Sequence, residues 1–279
     1  MEYCVFSKHL QSMELKEMGK ALSRLGLDGV DLTTREGGHV EPSRVKEDLP
    51  KFWEILGETG IKISMLTTGI VDLDQQARDI VETAARLNIK YIKLGYWHYR
   101  GFGHYREQAK EIKNALARLE PLFRDNGIKA GFHTHSGMDM GLNANHVLRL
   151  IEDRDPGVIG VYYDTGHSTI EGSDCGWMMD MDIARDRIFM IAVKDMAWFR
   201  TGALNEPKKG WVRKMVPLEA GLTDMPQFVS CLKQIGFDGP ISFHCEYMGS
   251  HSWKNLSTEE LLEQLSLDLA YFRKFMEKK

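Results

Sequence analysis

The sequence has little cysteine: four in 279 residues, Cys4, Cys175, Cys231 and Cys245, widely spaced and without a Cys-x-x-Cys pair. That spacing argues against a disulfide framework and fits free thiols in a reducing, cytoplasmic setting. No apolar run approaches the ~20 residues that a bilayer-spanning helix needs, so no membrane partner is expected. No signal peptide is visible ahead of the first apolar segment. There is no basic block, and the formal net charge is −4. Nucleic-acid binding needs a concentrated cationic face, so no nucleic-acid partner is expected. No Gly-rich fingerprint follows the first apolar segment, which argues against a nucleotide cofactor and a doubly wound dinucleotide fold. No linker, low-complexity tract or internal repeat divides the chain.

What is present reads as an ordinary globular domain, 43% hydrophobic and 27% charged. The length suits one α/β barrel of ~250 residues, so residues 1–279 are expected to form a single domain. The organising pattern is a repeated helix ending. An apolar-periodic helix stops at Gly or Asn, and a short apolar strand follows. Copies end at Gly26, Gly60, Asn88, Gly127 and Gly236. These residue types tolerate the left-handed conformation that terminates helices. Ala77, Ile80, Val81, Ala84 and Leu87 share one helical face, as do Ala109, Ile112, Leu116, Leu119 and Phe123. Ser257 and Glu260 form a capping-box pattern before the last helix. Strands are expected near 3–7, 28–32, 61–67, 90–95, 128–135, 158–164, 187–195 and 239–246. Eight strands alternating with helices predict a (β/α)8 barrel. The stretch from Trp198 to Gly221, with Lys208, Lys209 and Trp211, is expected to be an irregular, substrate-covering loop after the seventh strand.

Side chains alternate along a strand, so residues i and i+2 share a face. His133 and His135 share one in the fifth strand, and Tyr162 and Asp164 in the sixth. Ala192 and Lys194 do so in the seventh, and His244 and Glu246 in the eighth. Four consecutive strands thus end in polar groups, and burying that much polarity is costly unless the groups bind something. His135, His167, Lys93 and Arg35 are candidates to bind substrate, with Trp97 and Trp211 as apolar platforms. Lys8 and His9 close the first strand, and Asp31 the second.

These strand ends resemble the xylose isomerase-like barrels, a superfamily that includes sugar-phosphate isomerases and epimerases, ketose 3-epimerases, hydroxypyruvate isomerase and inosose dehydratase. The resemblance rests on Tyr163-Asp164-Thr165-Gly166-His167, Val193-Lys194-Asp195 and Gly239-Pro240-Ile241-Ser242-Phe243-His244-Cys245-Glu246. Phe132-His133-Thr134-His135-Ser136-Gly137 is similar to the inosose dehydratase-like members.

The resemblance implies a divalent metal held by Glu, Asp, His and Glu from strands five to eight. Here those positions carry His133, Asp164, Ala192 and His244, with Glu246 two residues beyond. Two arrangements follow. In one, His133, Asp164 and His244, with Glu246 as a further ligand, hold Zn²⁺, Mn²⁺, Fe²⁺ or Ni²⁺. In the other, no metal is bound and the same groups act as acid, base and hydrogen-bond donors.

The expected activity is isomerisation or epimerisation of a small polyhydroxylated substrate by proton removal beside a carbonyl, with dehydration of a keto-sugar or inosose as the alternative. Glu246 is the first candidate base and His244 the next, with Lys194 stabilising the oxyanion. A zinc endonuclease and a non-catalytic sugar-binding protein with a decayed site are the rival classes, and self-association stays open.

Overall fold

The computed structural model describes residues 1–202 and 210–277, apart from the side chain of residue 174. Lys208 and Lys209, read above as part of a covering loop, lie outside the described residues.

Eight parallel strands close into a barrel: β1 (Glu2–Phe6), β2 (Gly29–Thr34), β3 (Lys62–Thr68), β4 (Tyr91–Lys93), β5 (Lys129–His133), β6 (Ile159–Asp164), β7 (Ile188–Val193) and β10 (Pro240–Phe243). Each pairs with its sequence neighbour, and β10 closes the ring by pairing with both β7 and β1. Helices α1 (Leu15–Arg24), α2 (Val45–Gly57), α3 (Gln75–Arg86), α4 (Tyr105–Asp125), α5 (Ala144–Leu150), α6 (Thr165–Ala184), α7 (Met225–Gln234) and α8 (Thr258–Met276) follow the strands in turn. This is the expected (β/α)8 barrel. Gly26, Gly60, Asn88, Gly127 and Gly236 all sit at positive φ, between 58° and 81°, so the repeated helix endings are left-handed caps. Ser257 and Glu260 make both bonds of the capping box that starts α8.

Alternation divides the apolar residues into two groups. The larger packs the outer face of the sheet against the helices, where the α3 set Ala77, Ile80, Val81 and Ala84 and the α4 set Ile112, Leu116, Leu119 and Phe123 are buried. Each buried Val, Leu, Ile or Phe among them contributes roughly 1.5–3 kcal/mol through burial. The smaller group, Cys4, Met65, Tyr162, Phe189, Met190 and Ala192, includes residues that fill the barrel interior. Gly131 in β5 is needed for that filling, since a Cβ there would lie 2.0 Å from Met190 Cε. Strands β2, β3, β6 and β10 add a polar cluster. Asp31 Oδ2 accepts bonds from the Tyr162 hydroxyl (3.2 Å) and Ser242 Oγ (3.0 Å), and Asp31 Oδ1 from Thr67 Oγ1 (2.7 Å). Asp31 is therefore in mid-strand, with β2 running on to Thr34, rather than at a strand end.

The segment after β7 departs from expectation. It forms an antiparallel hairpin of β8 (Asp195–Arg200) and β9 (Trp211–Val216), with Asp195 opposite Val216 at its base and Arg200 opposite Trp211 at its far end. Backbone pairing satisfies the polar groups that an irregular loop would leave to solvent. Among the described residues, no helix is long and apolar enough to cross a membrane.

Candidate active site

The C-terminal ends of β5, β6 and β7 and the segment after β10 bring four ionisable side chains into one buried cluster. Lys194 Nζ lies 3.0 Å from Asp164 Oδ2 and 3.1 Å from Glu246 Oε1. His133 Nε2 meets the same Asp164 oxygen at 3.2 Å. Parallel pairing sets this arrangement, since β6 lies between β5 and β7, and β10 lies beside β7. Burial alone would drive the Lys194 ammonium down, but the Asp164 and Glu246 charges outweigh it and hold its pKa above the ordinary lysine value. Burial likewise opposes ionisation of Asp164 and Glu246. The Lys194 charge overrides it for both, helped at Asp164 by His167 and His133 and at Glu246 by His244 and Lys8, and both carboxyls sit well below their usual range.

The imidazoles divide in role. Burial holds His133 well below the usual histidine range despite Asp164 beside it. As a neutral ring it donates from Nε2 to Asp164 and accepts at Nδ1 from the Tyr96 hydroxyl, 2.8 Å away. His244 goes the other way. Burial lowers it, but Asp31 and Glu246 outweigh burial and raise it. Its Nε2 lies 2.8 Å from the Tyr162 hydroxyl and 3.7 Å from Asp31 Oδ2, and its Nδ1 lies 3.5 Å from Glu246 Oε1. His135 Nδ1 donates to Asp139 Oδ2 at 2.7 Å, and His98 meets the other Asp139 oxygen at 2.7 Å. His135 is also the most open of the clustered groups: its side chain is 30% exposed, against 12% for Glu246 and 4% or less for Lys194, His133 and His244. The His167 ring lies 4.0 Å from that of His135 at an interplanar angle of 47°, takes a bond from Ser136 Oγ at 2.7 Å and leaves Nε2 buried without a hydrogen-bond partner among the described residues. Arg213, on β9, donates to Ser136 Oγ at 2.6 Å and so ties the hairpin to the mouth.

The other expected substrate contacts separate. Lys93 is buried, its Nζ lies 3.4 Å from the Tyr96 ring centroid, and it has no hydrogen-bond partner among the described residues. Burial, with Arg35 adding like charge, pushes it well below the ordinary lysine range. Arg35 and Tyr96 line a cavity of about 480 Å³ beside the mouth, together with Thr68, Gly69 and Gly95. Trp97 stacks on Phe132 at 4.9 Å. Phe132 alternates with His133 and belongs to the core packed on the outer sheet face, so Trp97 joins that packing. Trp211 lies at the far end of the hairpin, 5.6 Å from the Arg200 guanidinium. Tyr96 and Asp139 were missed in the sequence. Tyr96 stands three residues beyond Lys93 and Asp139 four beyond His135, and only the loops' paths bring them inward.

The donor set expected for a metal does not fit one. His133, Asp164 and His244 do not form a converging three-ligand group among the described residues. Asp164 is engaged by the Lys194 ammonium, His244 is turned to Tyr162 and Asp31, and Ala192 offers no donor. Lys194 supplies the positive charge between Asp164 and Glu246.

A closed parallel barrel with buried charges gathered at its C-terminal mouth has the layout that (β/α)8 enzymes use. The chain belongs to the xylose isomerase-like TIM barrel family, whose model matches residues 20–270. Inosose dehydratase of Geobacillus thermodenitrificans is 26% identical over 132 residues, which is 45% of this chain and 43% of that protein. The match thus spans less than half of that relative's length. Among solved structures, D-psicose 3-epimerase of Clostridium cellulolyticum H10 with D-tagatose aligns over all of both chains with a TM-score of 0.73 at 11% identity. The IolI protein with a bound zinc atom also aligns over all of both chains, at a TM-score of 0.73 and 18% identity.

Proposed function

We propose that the protein is an enzyme that removes a proton beside a carbonyl on a small keto-sugar or cyclitol ketone, for isomerisation, epimerisation or dehydration. The observation that carries this reading is the buried Asp164–Lys194–Glu246 set beside the Asp139-oriented His135. Proton removal next to a carbonyl moves charge onto the carbonyl oxygen, and a fixed cation there lowers the barrier. Lys194 has three N–H donors. Two serve Asp164 and Glu246, and the third is available to an enolate oxygen. Its two carboxylate partners keep it charged without letting it move.

The base must be reachable and must be able to accept a proton. Glu246, the first candidate from sequence, is held ionised by Lys194, His244 and Lys8, which makes it a weak proton acceptor. His244 is buried and its pKa is raised, so it is occupied as a charge partner. His135 meets both needs. Asp139 holds its Nδ1–H, Nε2 carries no hydrogen bond among the described residues, and the side chain is partly open. In this reading His135 Nε2 takes the α-proton while Lys194 Nζ donates to the developing oxyanion. Protonation of the enolate carbon from solvent on the opposite face, with His135 losing its proton to water, gives an epimer, and transfer of the His135 proton to a departing β-hydroxyl, lost as water, gives a dehydrated ketone.

The inosose dehydratase and D-psicose 3-epimerase relatives support ketone-bearing cyclitols and keto-hexoses as the first substrates to try. The zinc in the IolI protein makes added divalent ions a necessary arm of the assay. The test is solvent deuterium incorporation into a panel of ketohexoses and inososes. Exchange by the wild-type protein that falls ~10²-fold or more in His135→Gln supports the reading. Exchange unaffected by His135→Gln but lost in Glu246→Gln moves the base to Glu246. No exchange on any member of the panel, with or without divalent ions, refutes it.

A further inference from the structure

Where the barrel closes, a second group of ligating side chains converges. β1 pairs with β10, Val5 against Phe243, so both strands leave the sheet at one point on the rim. His9 lies in the 3-10 turn Ser7–Leu10 directly after β1. Glu246 and His251 lie in the segment between β10 and α8. One ligating atom from each of His9, Glu246 and His251 lies within 4.8 Å of the other two. No other group of this kind occurs among the described residues.

The His9 imidazole is partly buried, and the backbone of the His251 loop is tied down. His9 Nε2 is buried with no hydrogen-bond partner among the described residues, a costly state for a polar atom unless something binds it. The His251 ring lies 6.0 Å from the His9 ring at an interplanar angle of 24°. Its loop is tied to the hairpin: Met215 N–H donates to His251 O at 2.8 Å, and Trp253 N–H to Met215 O at 2.9 Å. Gly249 N–H donates to Asn255 Oδ1 at 2.7 Å and pins the same loop.

We infer that His9, Glu246 and His251 form a divalent-metal site at the seam between the first and last barrel strands. Two imidazoles and a carboxylate are a donor set that zinc takes, and three protein ligands leave a coordination position for water or a substrate oxygen. Ligand atoms ~2.1 Å from a tetrahedral ion stand about 3.4 Å apart, so atoms that now lie within 4.8 Å of one another have to close by ~1.4 Å at most. Lys8 is the group an ion displaces. Its Nζ lies 3.3 Å from Glu246 Oε2, and its side chain, 39% exposed, is free to swing into water. Lys194 keeps the other Glu246 oxygen. The site differs from the His133–Asp164–His244 set expected from sequence. It shares Glu246 with the active-site cluster but does not rest on the proposed reaction.

The test is metal binding to the full chain, stripped with chelator, by calorimetry with Zn²⁺ and by visible absorption with Co²⁺. One ion per chain is expected, with the absorption of tetrahedral Co²⁺. His9→Gln and His251→Gln are each expected to weaken binding ~100-fold or more, since loss of outer-shell partners alone costs 10–100-fold. His133→Gln is expected to leave it unchanged. His251 is exposed, so His251→Gln is expected to fold and decides the matter if His9→Gln does not. Absence of saturable binding by the wild-type chain, or binding that survives His251→Gln, overturns the inference. No substrate enters the titration, so its outcome is independent of the exchange assay.

Discussion

Replacing Lys194 by Met tests the charge set at the barrel mouth most directly. The side chain is 3% exposed, and its ammonium lies 3.0 Å from Asp164 and 3.1 Å from Glu246. Met fills a similar volume, so the loss is chiefly electrostatic. Two carboxylates remain, Asp164 fully buried, without the cation that holds them ionised. Removing one partner of a buried ion pair costs about 3–5 kcal/mol. At ~2.1 cal/mol/K per residue, a chain of 279 residues unfolds with an entropy near 0.6 kcal/mol/K, so the melting temperature should fall by about 5–8 °C.

The sign of the pH dependence follows from the shifts. In the wild-type protein both carboxyls lie below their unfolded values, so their contribution is present above those values and is lost as pH falls. In Lys194→Met burial acts unopposed by that cation and raises both carboxyls, so the cost grows as pH rises. The gap between wild type and variant, followed by circular dichroism, should therefore widen from pH 5 to pH 8. A gap below about 1 °C, or one that does not change with pH, would refute the assignment of Lys194 as the cation of this set.

Two further predictions come from basic groups outside the charge set, the buried Lys93 and the partly buried His39. Lys93→Met removes an amine with no hydrogen-bond partner among the described residues and a strongly depressed folded-state pKa, so the variant should melt a few degrees higher than wild type at pH 7. A lower melting temperature would mean that its packing against Tyr96 outweighs the cost of burial. Burial lowers the His39 imidazole to about 4, so stability present above pH 6.5 should be lost as pH falls towards 4. His39→Gln should flatten that acid limb of the melting profile, and an unchanged slope would assign it to other groups.

Much of the fold was legible because its signals are local. Left-handed caps at Gly26, Gly60, Asn88, Gly127 and Gly236 mark where helices stop, and the residues after them alternate or run apolar as buried strands do. The hairpin of β8 and β9 was not legible, because Trp198 and Trp211 gave no turn signal linking the two strands, and their pairing joins residues well apart in sequence, from Arg200 with Trp211 to Asp195 with Val216. Trp97 and Tyr96 show the same limit at one residue's scale. Trp97 was expected to be a sugar platform, but the path of the segment after β4 turns Tyr96 to His133 and packs Trp97 on Phe132.

By itself the sequence determined that the chain is an eight-stranded parallel barrel whose later strands end in His133, Asp164, Lys194 and His244, with Glu246 just beyond, because alternation along a strand and helix capping are set by near neighbours. Only the tertiary structure decided what those groups are to one another. Ring closure brings Lys194 between Asp164 and Glu246 and turns His244 to Asp31, on a strand more than two hundred residues earlier. It also sets His9 beside Glu246 and His251. Ionisation and ligation depend on distances of a few ångströms between residues remote in sequence, and those distances exist only once the barrel is closed.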